Sequence, residues 1–150
     1  MLMRVRFQVG GKGHGLFCTA PLRRGSFVIE YVGEIVNGTE CDRRIQEYAR
    51  SDHFYLMSLR GDDSIDATRK GNLSRFINHA CAPNCETQKW EVAGRACVGI
   101  FTLHDLPADT EITFDYKYER YGGKKQASGD TRTAGCTRAI GRCGSPRSAE

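Results

Sequence analysis

The run Arg75-Phe-Ile-Asn78-His79-Ala-Cys81-Ala-Pro-Asn84-Cys85 holds more chemically capable side chains than any other stretch of the sequence. An adjacent Asn and His can take part in catalysis, hold a metal or brace a buried loop, and residue type alone leaves all three open. Cys81 and Cys85 could give two thiolates to a zinc ion, but zinc ribbons and fingers use two closely spaced pairs. Here the remaining candidates, Cys136 and Cys143, have six residues between them near the C-terminus and make no close pair. A second stretch, Glu111-Ile-Thr-Phe114-Asp-Tyr116-Lys-Tyr118, alternates as a strand does and puts three aromatic rings on one side. By itself such a stripe describes hydrophobic core. The third is Gly11-Lys12-Gly13-His14-Gly15. Leu16 stands where a dinucleotide fingerprint needs glycine, and no Gly-Lys-Ser/Thr closes a phosphate loop. What remains is an ordinary turn, or a backbone that can approach a ligand closely because glycine accepts φ > 0.

These residues need elements to hold them, and the sequence expects a mainly β protein. Phe27–Val32, Phe54–Leu59 and Cys97–Leu103 are short, β-branched and aromatic, and bounded by Gly, Pro or Asp. Trp90–Val92 and Ala96–Val98 flank a hairpin turn at Ala93-Gly94-Arg95. One helix is expected from about Glu40 to Arg50, with Thr39 as N-cap, Asp42 as the capping-box acid, and Cys41, Ile45, Tyr48 and Ala49 on one face. Many short strands with a single helix exclude a doubly wound sheet.

Bulk properties agree with one soluble domain. The 150 residues are 39% hydrophobic and 27% charged, with a net charge of +4. No apolar run reaches the roughly 20 residues of a membrane span, so no membrane partner is expected. Seven cysteines, an odd number, suit a reducing compartment better than a disulfide framework. The N-terminus enters a strand pattern almost at once, as a piece of a longer protein would. After Tyr121 only Ile140 is a large aliphatic residue, and residues 119 to 150 carry seven basic against three acidic side chains. That segment cannot bury enough apolar surface to offset its ordering entropy, and is expected to be an irregular tail. Its charge suits solvent or a weak nucleic-acid contact.

Taken together and in order, the segments resemble the SET-domain lysine methyltransferases over nearly all of residues 9 to 126. The matching stretches are Gly11–Leu16, Glu30-Tyr-Val-Gly-Glu34, Ile65-Asp-Ala-Thr-Arg-Lys-Gly-Asn72, the Asn78-His79 segment, Glu86–Trp90 and Thr113-Phe-Asp-Tyr116. Asn84 to Trp90 and Arg120-Tyr121 are most similar to the subgroup that methylates lysine-36 of histone H3.

The resemblance implies a SET domain over 2–120, built of small β-clip-like sheets around a knot-like core, and a degenerate post-SET region over 121–150. It implies S-adenosylmethionine as cofactor, a histone H3 tail or nucleosome as partner, a nuclear, chromosomal location, and an aromatic channel joining cofactor and peptide faces. Lys12, Gly13 and His14 would form the first cofactor contact, with His14 where the family usually has Trp. His53, Phe54 and Tyr55 would form a second, Tyr55 also lining the lysine channel. Asn78 and His79 would hold the methionine part and the adenine, and Gln126 would add a contact. Arg75 would brace the loop. Tyr116 corresponds to the catalytic tyrosine, and Phe114 to the position that sets product size, with Phe implying di- or trimethyl capacity.

The C-terminus departs from the subgroup, which continues with Cys-x-Cys-x4-Cys and closes a zinc with the equivalent of Cys81. Ala127-Ser128-Gly129 follows Gln126 instead. Cys81 and Cys143 are the metal candidates, with Cys136 the third thiol, so the expected zinc set is incomplete. That defect keeps a second function open, a catalytically impaired SET module that binds chromatin or cofactor.

Overall fold

The computed structural model describes residues 3–8, 13–48 and 54–116. In chain order the elements are β1 (Met3–Gln8), β2 (Gly13–Cys18), β3 (Phe27–Glu30), β4 (Glu34–Val36), α1 (Gly38–Tyr48), β5 (Leu56–Arg60), β6 (Asp63–Asp66), a 3-10 turn (Leu73–Phe76), β7 (Asn78–His79), β8 (Cys85–Val92), β9 (Arg95–Thr102) and β10 (Thr113–Phe114). They form three small sheets: β1-β2, β4-β6-β5, and a five-stranded sheet in the order β3-β9-β8-β10-β7. The described helix is too short to cross a membrane.

Alternation on β8 and β9 decides which face of the large sheet is core. Cys85, Val98 and Ile100 point inward and are completely buried, whereas Trp90, Val92 and Phe27 belong to the opposite, exposed face. The inward face meets Leu16 and Cys18 of β2 together with Ile77, Ile112 and Phe114. Full burial of an aliphatic side chain such as Ile100 or Ile112 contributes about 1.5–3 kcal/mol. A second cluster of Tyr31, Leu59, Ile65, Ala67 and Val98 joins this sheet to the three-stranded one. Gly33 permits that junction, because a Cβ there would lie 2.5 Å from the Asp66 carbonyl oxygen.

Three local expectations shift. The helix starts at Gly38 rather than Glu40, because Asn37, not Thr39, caps it. The Asn37 side chain accepts from the Glu40 N–H at 2.9 Å, and its carbonyl accepts from Cys41 at 2.8 Å. Asn is the stronger cap, and its use puts Glu40 rather than Asp42 at the third helical position. The hairpin turn has two residues, Ala93 and Gly94, since Val92 pairs with Arg95. Both take φ > 0, at 50° and 74°, which matches the twist of the flanking strands. In the described part of the aromatic stretch, residues 111–116, the strand is confined to Thr113–Phe114.

Candidate active site

β7 and β8 follow one another in the chain, yet β10 lies between them, parallel to both. The connection 80–84 must therefore cross over β10, which gives the expected knot-like core. Asn84 fastens the crossing. Its Nδ2 donates to the Glu111 carbonyl at 2.7 Å, its Oδ1 accepts from the Thr113 N–H at 2.9 Å, and its own carbonyl accepts from Leu103 at 2.8 Å.

This crossing delivers Tyr116 to His79. The Tyr116 backbone N–H donates to His79 Nδ1 at 3.2 Å, and the Tyr116 hydroxyl donates to the Ile77 carbonyl. An Nδ1 that accepts must be unprotonated, which assigns the proton of the neutral ring to Nε2. The Tyr116 ring lies 5.4 Å from that of His79 and 4.8 Å from that of Phe114. Phe114 itself is only 4% exposed and belongs to the main core. The bond to Ile77 occupies the phenol proton, so toward any ligand donor this oxygen acts as an acceptor.

Asn78 faces the other way along the same strand. Its Nδ2 donates to the His14 carbonyl at 3.1 Å and to Glu111 Oε1 at 2.8 Å. Both amide protons are thus spent inside the protein, so its Oδ1 is the group suited to accept from a ligand. The His14 ring stands 5.5 Å from that of Phe76, over which the Arg75 guanidinium lies at 4.9 Å. Gly13 begins β2 at φ +71°, and, its chain neighbours aside, no described atom lies within 4 Å of where its Cβ would be. That is a backbone conformation and an open space that glycine supplies cheaply. Arg75 also lies 5.9 Å over the Tyr55 ring and donates to the Ala67 carbonyl at 3.5 Å, a bracing geometry. Phe54 is exposed and stacks on Tyr48 at 6.5 Å. Lys12, His53, Gln126, Cys136 and Cys143 lie outside the described residues.

The two cysteines of the dense segment part company. Cys81 is exposed, its Sγ 3.6 Å from His79 Nε2. Cys85 is completely buried, and burial pushes its thiol up to about 12. Cys85 is a core thiol, clustered with Leu16, Ile77 and Ile100. Among the described residues no three His, Cys, Asp or Glu side chains gather as a metal set.

Residue types did not announce the support beneath Tyr55. Its N–H donates to Thr68 Oγ1 at 2.9 Å, and its carbonyl accepts from Ala67 at 2.8 Å. Beside them Asp66, with no exposure, accepts from Arg44 at 2.7 Å and from the Tyr48 hydroxyl at 2.8 Å. The available signal was a carboxylate at an inward strand position in Ser64-Ile-Asp-Ala67, which requires buried partners but does not say which.

Residues 13–117 match the family model for the SET domain. The chain is 52% identical over 120 residues to histone-lysine N-methyltransferase ASHH2 of Arabidopsis thaliana, covering 79% of this chain and 7% of that protein. It is 50% identical over 117 residues to histone-lysine N-methyltransferase SETD2 of Homo sapiens, covering 77% and 5%. It is 46% identical over 121 residues to the H3 lysine-36 specific histone-lysine N-methyltransferase of Mus musculus, covering 79% and 5%. The chain therefore spans less than a tenth of the length of these relatives.

Proposed function

The chain belongs to the SET-domain family, and from that membership we propose that it transfers methyl groups from S-adenosylmethionine to lysine-36 of histone H3, with di- or trimethyl capacity. The observation that carries this reading is the crossing of β10 between β7 and β8, which sets Tyr116 against His79 and Ile77.

The cofactor-binding residues proposed are Gly13, His14, Phe54, Tyr55, Asn78 and His79, with Lys12, His53 and Gln126 as further members. Three features of the described residues suit that ligand. Asn78 Oδ1 can accept from an ammonium group, the tilted His14 and Phe76 rings offer aromatic contact, and Gly13 leaves its backbone approachable. S-adenosylmethionine supplies, when bound, a sulfonium-activated methyl group.

The chain's own residues must present a neutral amine to it. Free lysine, at a pKa of about 10.4, is protonated at neutral pH and has no lone pair to offer. A channel walled by Tyr55, Phe114 and Tyr116 withdraws the amine from water and lowers that pKa. The Tyr116 oxygen, its proton held by Ile77, accepts from an amine N–H and so aims the nitrogen lone pair at the methyl carbon. Aromatic faces tolerate the cationic product, and alignment supplies much of the remaining rate. Phe114 carries no hydroxyl to restrain an already methylated amine.

We assign residues 2–120 to the catalytic domain and 121–150 to a degenerate tail, with nucleosomes as partner, a weak nucleic-acid contact through the tail, and a nuclear, chromosomal location. Zinc is not assigned a role: Cys81 is one thiol of the set, and its companions Cys136 and Cys143 lie outside the described residues. The test is transfer of labelled methyl from S-adenosylmethionine to nucleosomes by the chain and by Tyr116→Phe. Label on histone H3 that falls at least 100-fold in the variant is expected, in the range that a transition-state hydroxyl contributes. Calorimetric cofactor binding without transfer by the unaltered chain would favour the impaired module instead.

A further inference from the structure

A carboxylate without solvent contact is costly unless its lone pairs are used. Asp66 uses them fully. Oδ2 accepts from Arg44 Nη1 at 2.7 Å and from the Tyr48 hydroxyl at 2.8 Å, while Oδ1 accepts from the Thr68 N–H at 2.9 Å. The Thr68 hydroxyl oxygen in turn accepts from the Tyr55 N–H at 2.9 Å. The Tyr55 carbonyl is held by Ala67, the residue between Asp66 and Thr68, at 2.8 Å. Both backbone polar groups of Tyr55 therefore hang on the two residues after Asp66. Its neighbour Phe54 is tied to the same carboxylate through Tyr48, whose ring stacks on it at 6.5 Å and 16°.

A structural role alone would ask only that Arg44 and Tyr48 seat α1 on the sheet. It gives no reason for the carboxylate to reach, through Thr68, the backbone of a residue of the candidate site. We propose that Asp66 is a positioning residue, fixing Tyr55 through Thr68 and Phe54 through Tyr48 so that the wall of the lysine channel keeps its place during transfer. The role given to Tyr55 rests on the proposed methyltransferase activity; the hold of Asp66 on Tyr55 does not.

Two variants and their control test it in the full chain. Asp66→Asn keeps the shape but cannot accept on both the Arg44 and Thr68 sides. Thr68→Val removes only the acceptor of the Tyr55 N–H, and Thr68→Ser restores it. Amide hydrogen exchange followed by NMR should show Tyr55 at least about 10-fold faster in Asp66→Asn and Thr68→Val, near its original rate in Thr68→Ser, with Ile100 of β9 unchanged, as local opening requires. In nucleosome assays kcat should fall roughly 10- to 100-fold in the first two variants and recover with serine, the pattern of misplaced reacting groups. Should Asp66→Asn not fold, the Thr68 pair alone decides. Exchange at Tyr55 that follows Ile100 in every variant overturns the proposal, as does faster exchange with unaltered kcat. If the unaltered chain transfers no methyl, the assigned activity fails, while the exchange pattern still decides whether Asp66 holds Tyr55.

Discussion

Tyr116 is secured at both ends, its N–H on His79 and its hydroxyl on the Ile77 carbonyl, so the ring has little freedom to swing. His79 consequently does more bracing than its place beside Asn78 suggests, since its Nδ1 lone pair is committed to the backbone of the proposed catalytic residue. Phe114 is packed against that tyrosine at 4.8 Å in nearly dry surroundings. A hydroxyl added there either binds the incoming amine or remains unpaired. We expect Phe114→Tyr to shift products toward monomethyl-lysine by mass spectrometry and to lower stability by about 1–3 kcal/mol, the cost of a poorly paired buried hydroxyl. An unchanged product distribution would remove Phe114 from its assigned position.

At the scale of elements, the site depends on a strand of two residues. β10 is too short to hold its place by pairing alone, and Asn84 supplies the missing bonds to Glu111 and Thr113. Asn84→Ala removes both and strands the Thr113 N–H in a partly buried setting. The expected loss is about 2–4 kcal/mol, from two hydrogen bonds and an orphaned donor. Denaturant unfolding should show a lower midpoint with an unchanged slope. Methyl transfer should fall more steeply than the folded fraction, because the same displacement moves Tyr116. A variant as stable as the original chain would show that β10 is held by core packing instead.

Across the whole molecule, carboxylates in ion pairs set the response to acid. Burial by itself would raise the Asp66 carboxyl, but the Arg44 guanidinium and the bonds from Thr68 and Tyr48 outweigh it and hold it below the ordinary range. Arg43 and Arg44 bring Glu40 down to about 2. Both groups are more acidic folded than unfolded, so their stabilisation is complete above the unfolded carboxylate pKa of about 4. It is lost as pH falls through the folded values. Melting curves by circular dichroism should give a Tm that changes little on this account above about pH 5 and drops between about pH 4 and pH 2, less steeply in Asp66→Asn. A Tm equally independent of pH over that acid range would show that neither pair is maintained in solution.

Much of this architecture was legible from local chemistry. β-Branched and aromatic clusters marked strands at Phe27–Val32 and Cys97–Leu103, which form as Phe27–Glu30 and Arg95–Thr102, and helical spacing marked the Cys41–Tyr48 face, because those preferences act between near neighbours. The ordered motifs from Gly13 to Tyr116 pointed to the SET family, since each must be present at its own distance for the site to assemble. Choosing Asn37 over Thr39 as cap was harder, for two good caps two residues apart differ by little and packing decides between them. Nor could residue type tell Cys81 from Cys85, which only tertiary structure separates into a surface thiol and a core one. The insertion of β10 between β7 and β8, and the chain of bonds from Asp66 to Tyr55, join residues far apart or on different elements. Sequence determined which groups could meet; the folded chain decided which do, because a buried hydrogen bond is worth most where no water can replace the partner.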